Sequence, residues 1–191
     1  MCLANTGISS LQDSLPKSCY IAGNFQQHKQ LADIPQALKS NGEFIFACDQ
    51  GLIWHTREPH RETLIYRRDG KHQLILPDTE AERLTGRVHR ELGKILNNLI
   101  GADIDYLNQH FDDTVTENHH ALIPKNKRLR KFINSIGISP ASGGTHISII
   151  QQEQETTDIT ISQTQAFDSI SADNCASLFT HQPEACALLF Q

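Results

Sequence analysis

Alternation of apolar and polar positions governs the first third of the chain. Tyr20, Ala22 and Asn24 alternate with Ile21, Gly23 and Phe25, which predicts a strand within residues 18–31. Residues 43–48, Glu-Phe-Ile-Phe-Ala-Cys, are too apolar for a half-exposed strand, so both faces are expected to be covered. Asn41-Gly42 before it and Asp49-Gln50-Gly51 after it read as turns. Leu52 to Thr56 continues as a strand that Pro59 breaks. Residues 63–68 form another, and Asp69-Gly70 is a hairpin signal ahead of residues 72–76. The result is a meander of short antiparallel strands.

Helical spacing replaces alternation in the middle. Val88, Leu92, Ile95, Leu96, Leu99 and Ile100 predict a helix over 88–100 that Gly101 stops, and Gly86 separates it from the capping-box pattern at 79–82. Asp103 caps a second, short helix with Ile104, Leu107 and Phe111 inside. Residues 114–116 and 121–123 then read as strands around a turn at 118–120. Asn126 is placed to cap a helix in which Leu129, Phe132, Ile133 and Ile136 follow i, i+3, i+4, i+7. A Pro/Gly/Ser loop at 139–145 precedes a hairpin of 146–151 and 158–163. Two short helices are expected around Pro183 within 171–190, and a short helix over 7–17 at the start.

A length of 191 residues fits one domain that needs no metal to fold. Lys+Arg 17 against Asp+Glu 22 leaves a net charge of −5, which excludes nucleic-acid binding by bulk charge. No apolar run reaches the ~20 residues of a membrane-spanning helix. No basic-then-apolar leader follows Met1, so the chain is expected to be cytosolic or to lack its leader.

Chemistry is sparse. Glycine-rich phosphate loops, a Gly-x-Ser-x-Gly elbow and His-Glu-x-x-His are all absent. His110, His119 and His120 with Asp112 or Asp113 could supply zinc ligands, but neighbours on a strand point to opposite faces, and surface histidines explain them better. No catalytic residue, metal or cofactor is expected. The basic run Lys125, Lys127, Arg128, Arg130 and Lys131 reads first as the wet side of an amphipathic helix, and second as a docking face for an acidic partner or anionic membrane. Among five cysteines no pair has Cys-x-x-Cys spacing. Cys19 and Cys48 suit small buried hydrophobes. Cys175 and Cys186 could pair in an exported protein, and Cys2 would be lipid-modified only if a signal had been removed.

The order of motifs resembles the periplasmic outer-membrane lipoprotein carriers, the LolA family. It rests on Gly23-Asn24-Phe25-Gln26-Gln27, Ser40-Asn41-Gly42-Glu43-Phe44 and Gly51-Leu52-Ile53-Trp54-His55-Thr56 with Pro59 beyond. Asp69-Gly70, Leu122-Ile123-Pro124-Lys125 and the 146–163 hairpin extend it over about residues 7–165. The resemblance implies a single α+β domain: an incomplete, strongly curved antiparallel β-barrel closed by helices, with an apolar cavity and a helical tail at 166–191. It implies a non-enzymatic, monomeric, periplasmic carrier of acyl chains from lipoproteins or related lipids, moving between an inner-membrane donor and an outer-membrane acceptor. Phe25, Phe44, Phe46, Cys48, Trp54, Leu64, Tyr66, Leu96, Leu99 and Phe111 would line its cavity. Export makes Cys175–Cys186 a disulfide and leaves Cys19 and Cys48 free. Cys48 stands where the carriers place an arginine that latches the helical lid, so the lid here is expected to close by packing alone. Two other readings remain: an interaction module with a filled cavity, and a metal-dependent hydrolase using the histidines.

Overall fold

A computed structural model describes Leu11, Leu15 and residues 18–117, 119–152 and 155–191, without the side chains of residues 87–89. Eleven strands form one antiparallel sheet: β1 Tyr20–Gln30, β2 Leu38–Ala47, β3 Gly51–Glu58, β4 Glu62–Arg67, β5 Gln73–Ile75, β6 Glu82–Arg83, β7 Phe111–Thr116, β8 His119–Pro124, β9 Ile133–Ala141, β10 Gly144–Gln151 and β11 Thr156–Phe167. Their spatial order is β6-β5-β4-β3-β2-β1-β11-β10-β9-β8-β7, so β6 and β7 are edges and the sheet does not close. Helices α1 Arg87–Ile100 and α2 Ile104–His110 interrupt the meander, and α3 Ala172–Leu178 and α4 Pro183–Leu189 end the chain. Of the 7–17 helix only Leu11 and Leu15 are described, both buried in the main core.

Period-two alternation feeds two cores from the same strands. On one face Ile21, Phe25, Phe44, Phe46, Leu52, Trp54 and Tyr66 join Ile95, Leu99 and Ile100 of α1. Leu122, Ile136, Ile147, Ile149, Ile159 and Ile161 from the other half of the sheet enter that same cluster, so the sheet curls around it. On the opposite face Ile45, Ile53, Ile65 and Ile75 pack against Phe179, Ala185 and Leu189 of the tail. The expectation that residues 43–48 are covered on both faces is met: Phe44 and Phe46 point to one core and Ile45 to the other.

Three local readings are corrected. Asn41-Gly42 is no turn; it lies inside β2, where the register slips between Asn41↔Glu58 and Gly42↔Thr56. Glycine is required there because a Cβ would sit 1.9 Å from the His55 carbonyl oxygen. The 126–136 helix is absent. Leu129–Lys131 makes one 3₁₀ turn, and Ile133 and Ile136 are strand residues, Ile136 opposite Leu122 and Ile149. The basic run is therefore a turn between strands rather than the polar side of a helix. Finally, the 139–145 loop shrinks to a tight turn, since Pro140 pairs with Thr145 across β9 and β10 and Gly143 takes the positive φ of +77°.

The cysteines differ from expectation as well. Cys175 and Cys186 are bonded and join α3 to α4. Cys19 and Cys48 are not free; they form a second disulfide with Cα atoms 4.9 Å apart. The start of β1 and the end of β2 meet there, and Cys48 N–H also donates to the Cys19 carbonyl at 2.9 Å. Two strand-like runs taken separately gave no sign that their ends would be neighbours.

Candidate functional site

Helix α1 lies across the concave face over β3 and β4. Its N-cap is Gly86, and its apolar positions recur at helical spacing, so one flank carries Leu92, Ile95, Leu96 and Leu99 toward the sheet. Gly93 permits close approach: a Cβ at this position would lie 2.2 Å from Cδ1 of Tyr66. Asn97 then fastens the helix. Its buried Nδ2 donates to the Tyr66 carbonyl at 2.9 Å and to the Gly93 carbonyl at 3.0 Å. The expectation of closure by packing alone is therefore incomplete. Cys48 supplies no latch, since its sulfur is held by Cys19, but Asn97 ties α1 to β4.

Between α1 and the sheet lies an open cavity of about 750 Å³. Trp54, Leu64, Tyr66, Leu92, Leu96, Ile149 and Ile159 make its apolar wall. Gln27, Lys29, Lys39, Ser40, His60, Glu62, Gln151 and Thr157 make its polar margin. The margin residues lie at one end of the sheet, where β1, β3 and β10 finish and β2, β4 and β11 begin. Leu38, Lys29, Thr157 and Ile149 form a single cross-strand row there.

All ten sequence-selected residues fall in or against the main core, but only four line the open space: Trp54, Leu64, Tyr66 and Leu96. Phe25, Phe44, Phe46, Leu99 and Phe111 are buried in packed protein, with Phe25 stacked on Trp54 at 3.8 Å between centroids. Cys48 packs at the far end of the core. Leu92, Ile149 and Ile159 were missed as lining residues. Leu92 belongs to the helix stripe, yet its position at the wall depends on the helix approach that Gly93 sets. Ile149 and Ile159 belong to the last hairpin, whose contact with the first half of the sheet is not local in sequence.

Burial shifts the titratable groups here. The Tyr66 hydroxyl is pushed well above its ordinary range by desolvation, with Glu62 adding to the effect. His72, edge-on to the Tyr66 ring, has its pKa lowered by burial. Tyr66 is thereby an uncharged wall.

The histidines do not converge. His120 Nδ1 pairs with Asp113 Oδ2 at 2.9 Å, both side chains buried; His119 is exposed, and His110 stacks on Tyr106. Among the described residues no group of three or more His, Cys, Asp or Glu side chains is arranged to hold a metal. No helix of the described residues is long and apolar enough to cross a membrane.

Several comparisons bear on this architecture. A LolA superfamily protein from Nitrosomonas europaea superposes with a TM-score of 0.52 at 10% identity, covering 92% of this chain and 97% of its own. A domain described as an outer membrane lipoprotein-sorting protein, from Vibrio parahaemolyticus, gives 0.49 at 9% identity, covering 92% and 98%. At such identity the first likeness speaks for the fold alone. No curated protein matches the sequence. The family model described as outer membrane lipoprotein carrier protein LolA matches residues 17–177. With most of its length matched in this way, the chain belongs to the LolA family.

Proposed function

We propose that the protein is a periplasmic, non-enzymatic carrier that shelters the acyl chains of a lipoprotein or related lipid between α1 and the sheet. The observation that carries this reading is the cavity itself: about 750 Å³, walled by Trp54, Leu64, Tyr66, Leu92 and Leu96, and open at one end of the sheet. That volume falls in the ordinary range for small-molecule sites. Each buried methylene is worth ~0.8 kcal/mol, so an acyl chain does not enter water at a useful rate, while exchange between membrane and an apolar cavity is close to neutral. Directional transfer then needs only an acceptor that binds the chain more tightly than the carrier does. A membrane-side donor and acceptor are the partners this scheme requires.

Native mass spectrometry tests it. Protein incubated with palmitic acid should gain the mass of bound fatty acid, and Leu96→Trp, which fills the cavity, should lose most of that occupancy while keeping its circular dichroism. Wild-type protein that stays bare after incubation would sink the proposal and favour an interaction module on the same fold.

A further inference from the structure

The protein is acidic overall, yet no Asp or Glu occurs anywhere from residue 118 to 152. Within that stretch residues 125–131 hold five of the chain's 17 Lys and Arg residues. Two of the five have structural duties. Lys125 lies 3.7 Å from Asp112 and donates to the Asn108 carbonyl, and Arg130 Nε donates to the Pro124 carbonyl. Lys127, Arg128 and Lys131 are exposed and make no ion pair with any described residue. Three cations packed into one turn repel one another.

The place of this turn gives it meaning. It joins β8 to β9, at the end of the sheet where β1 and β10 also finish. Gln152 ties it to the adjoining turn by donating through Nε2 to the Arg130 carbonyl, and its own N–H reaches the Phe132 carbonyl. The preceding residue, Gln151, is part of the cavity margin, on which two further lysines, Lys29 and Lys39, stand with one carboxylate, Glu62. The same end also exposes large apolar side chains: Ile34 at 38%, Leu38 at 50% and Ile150 at 41%. Leu38 is itself a cavity-lining residue. Exposed isoleucine and leucine beside exposed cations is the chemistry of a surface that meets lipid head groups and the outermost acyl carbons.

We infer that the open end of the sheet docks directly on an anionic phospholipid bilayer. Lys127, Arg128 and Lys131 face the head groups, and Ile34, Leu38 and Ile150 enter the interface. Docking would set the cavity mouth against the leaflet, so that a chain passes between membrane and carrier without crossing water. This surface goes beyond the carrier reading and shares only the cavity mouth with it.

Cosedimentation of the full chain with vesicles provides the test. Binding should be strong to phosphatidylcholine vesicles containing a third phosphatidylglycerol, weak to pure phosphatidylcholine, and diminished by raising the salt. Each basic residue near an anionic surface contributes ~1 kcal/mol, about a fivefold change in binding, so Lys127→Ala, Arg128→Ala and Lys131→Ala together should weaken it on the order of a hundredfold. Ile34→Ser with Ile150→Ser should weaken it by a part that salt does not alter. Both variants change exposed side chains, and unchanged thermal melting would show that they fold. Equal binding to both vesicle types, full binding by the triple variant, or no vesicle binding at all would overturn the inference; the last outcome would assign the basic turn to an acidic protein. Palmitic acid uptake measured without vesicles keeps the two readings apart. A triple variant that still takes up fatty acid but no longer sediments isolates the docking surface, and wild-type protein that sediments but takes up nothing fails the carrier reading alone.

Discussion

The two faces of the sheet share strands but are finished in different ways. On the convex side Ile45, Ile53 and Ile65, each flanked by inward-facing neighbours, meet Phe179 and Leu189, and a disulfide between Cys175 and Cys186 clamps the cover. On the concave side the wall is aromatic and leucine-rich, the cover is a helix held by Asn97, and about 750 Å³ stays open. β-Branched residues serve both faces, since Ile136, Ile147 and Ile161 lie in the concave core, so the difference lies in the covers rather than in the strands. The convex side keeps a smaller and more polar cavity, about 510 Å³ beside His55, Ile75, His181 and Glu184. The larger and more apolar space lies on the concave side.

The largest expected effect tests the side that the tail covers. Replacing both Cys175 and Cys186 with serine frees a loop with a sequence separation of 11. The chain-entropy relation for a loop of this length gives a loss of ~3 kcal/mol of stability, read as a lower midpoint in chemical denaturation. Fatty acid occupancy at low temperature should stay as in the wild type. A parallel loss of binding would mean that the two faces are coupled through the strands.

Asn97→Ala makes the matching cut on the open side. It removes the side-chain bonds to the Tyr66 and Gly93 carbonyls, a loss of ~1 kcal/mol per bond. Because Asn97 fastens α1, cargo dissociation should also speed up, measured as faster transfer of a fluorescent fatty acid to empty vesicles. Slower unfolding or an unchanged transfer rate would remove Asn97 as the fastening of the lid.

Acid should act on both sides. Burial lowers the pKa of His55, which bonds Thr63 under the tail, with Arg57, Arg61 and His181 opposing protonation and Glu43 favouring it. Burial likewise lowers the pKa of His72 beside Tyr66. A folded-state pKa below the unfolded value means that the unfolded chain binds the proton first. The stabilising difference is therefore complete above the unfolded value of 6.5 and is lost as pH falls through the lowered folded values. Melting temperature should drop in that acidic window, with His55→Gln and His72→Gln each removing part of the slope. A melting temperature that is level across the window would refute both contributions.

How much of this was legible in the sequence follows the same divide between local and distant. Phe44, Ile45 and Phe46 announced a strand covered on both sides, because strand alternation is a local property. The Leu129, Phe132, Ile133, Ile136 spacing was equally local and misled. The pattern suits a helix, but Ile133 and Ile136 are β-branched, and pairing with Leu122 and Ile149 decides the outcome. What covers the convex face, which cysteine meets Cys19, and which of the aromatic residues border open space all depend on contacts distant in sequence. The cavity was legible as a class of feature through the family resemblance. Its wall was legible only at Trp54, Leu64, Tyr66 and Leu96.

The smallest expected effect is spectroscopic and bears on the border between packed and open core. Trp54 is the chain's single tryptophan, so its emission needs no separation from other indoles. The residue is only 5% exposed, its ring stacked on Phe25 at 3.8 Å and near Phe44 at 5.9 Å, yet it lines the cavity. An indole already surrounded by protein on most sides has little water left to lose, so titration with palmitic acid should give a small blue shift that saturates at low stoichiometry. The size of the shift is informative in itself. A large one would mean that the Phe25 stack opens when cargo enters and that the packed aromatic half of the core belongs to the site. No shift, with uptake measured independently by mass spectrometry, would confine the cargo to the Leu64, Leu92 and Leu96 side of the cavity, against α1 and away from the aromatic wall.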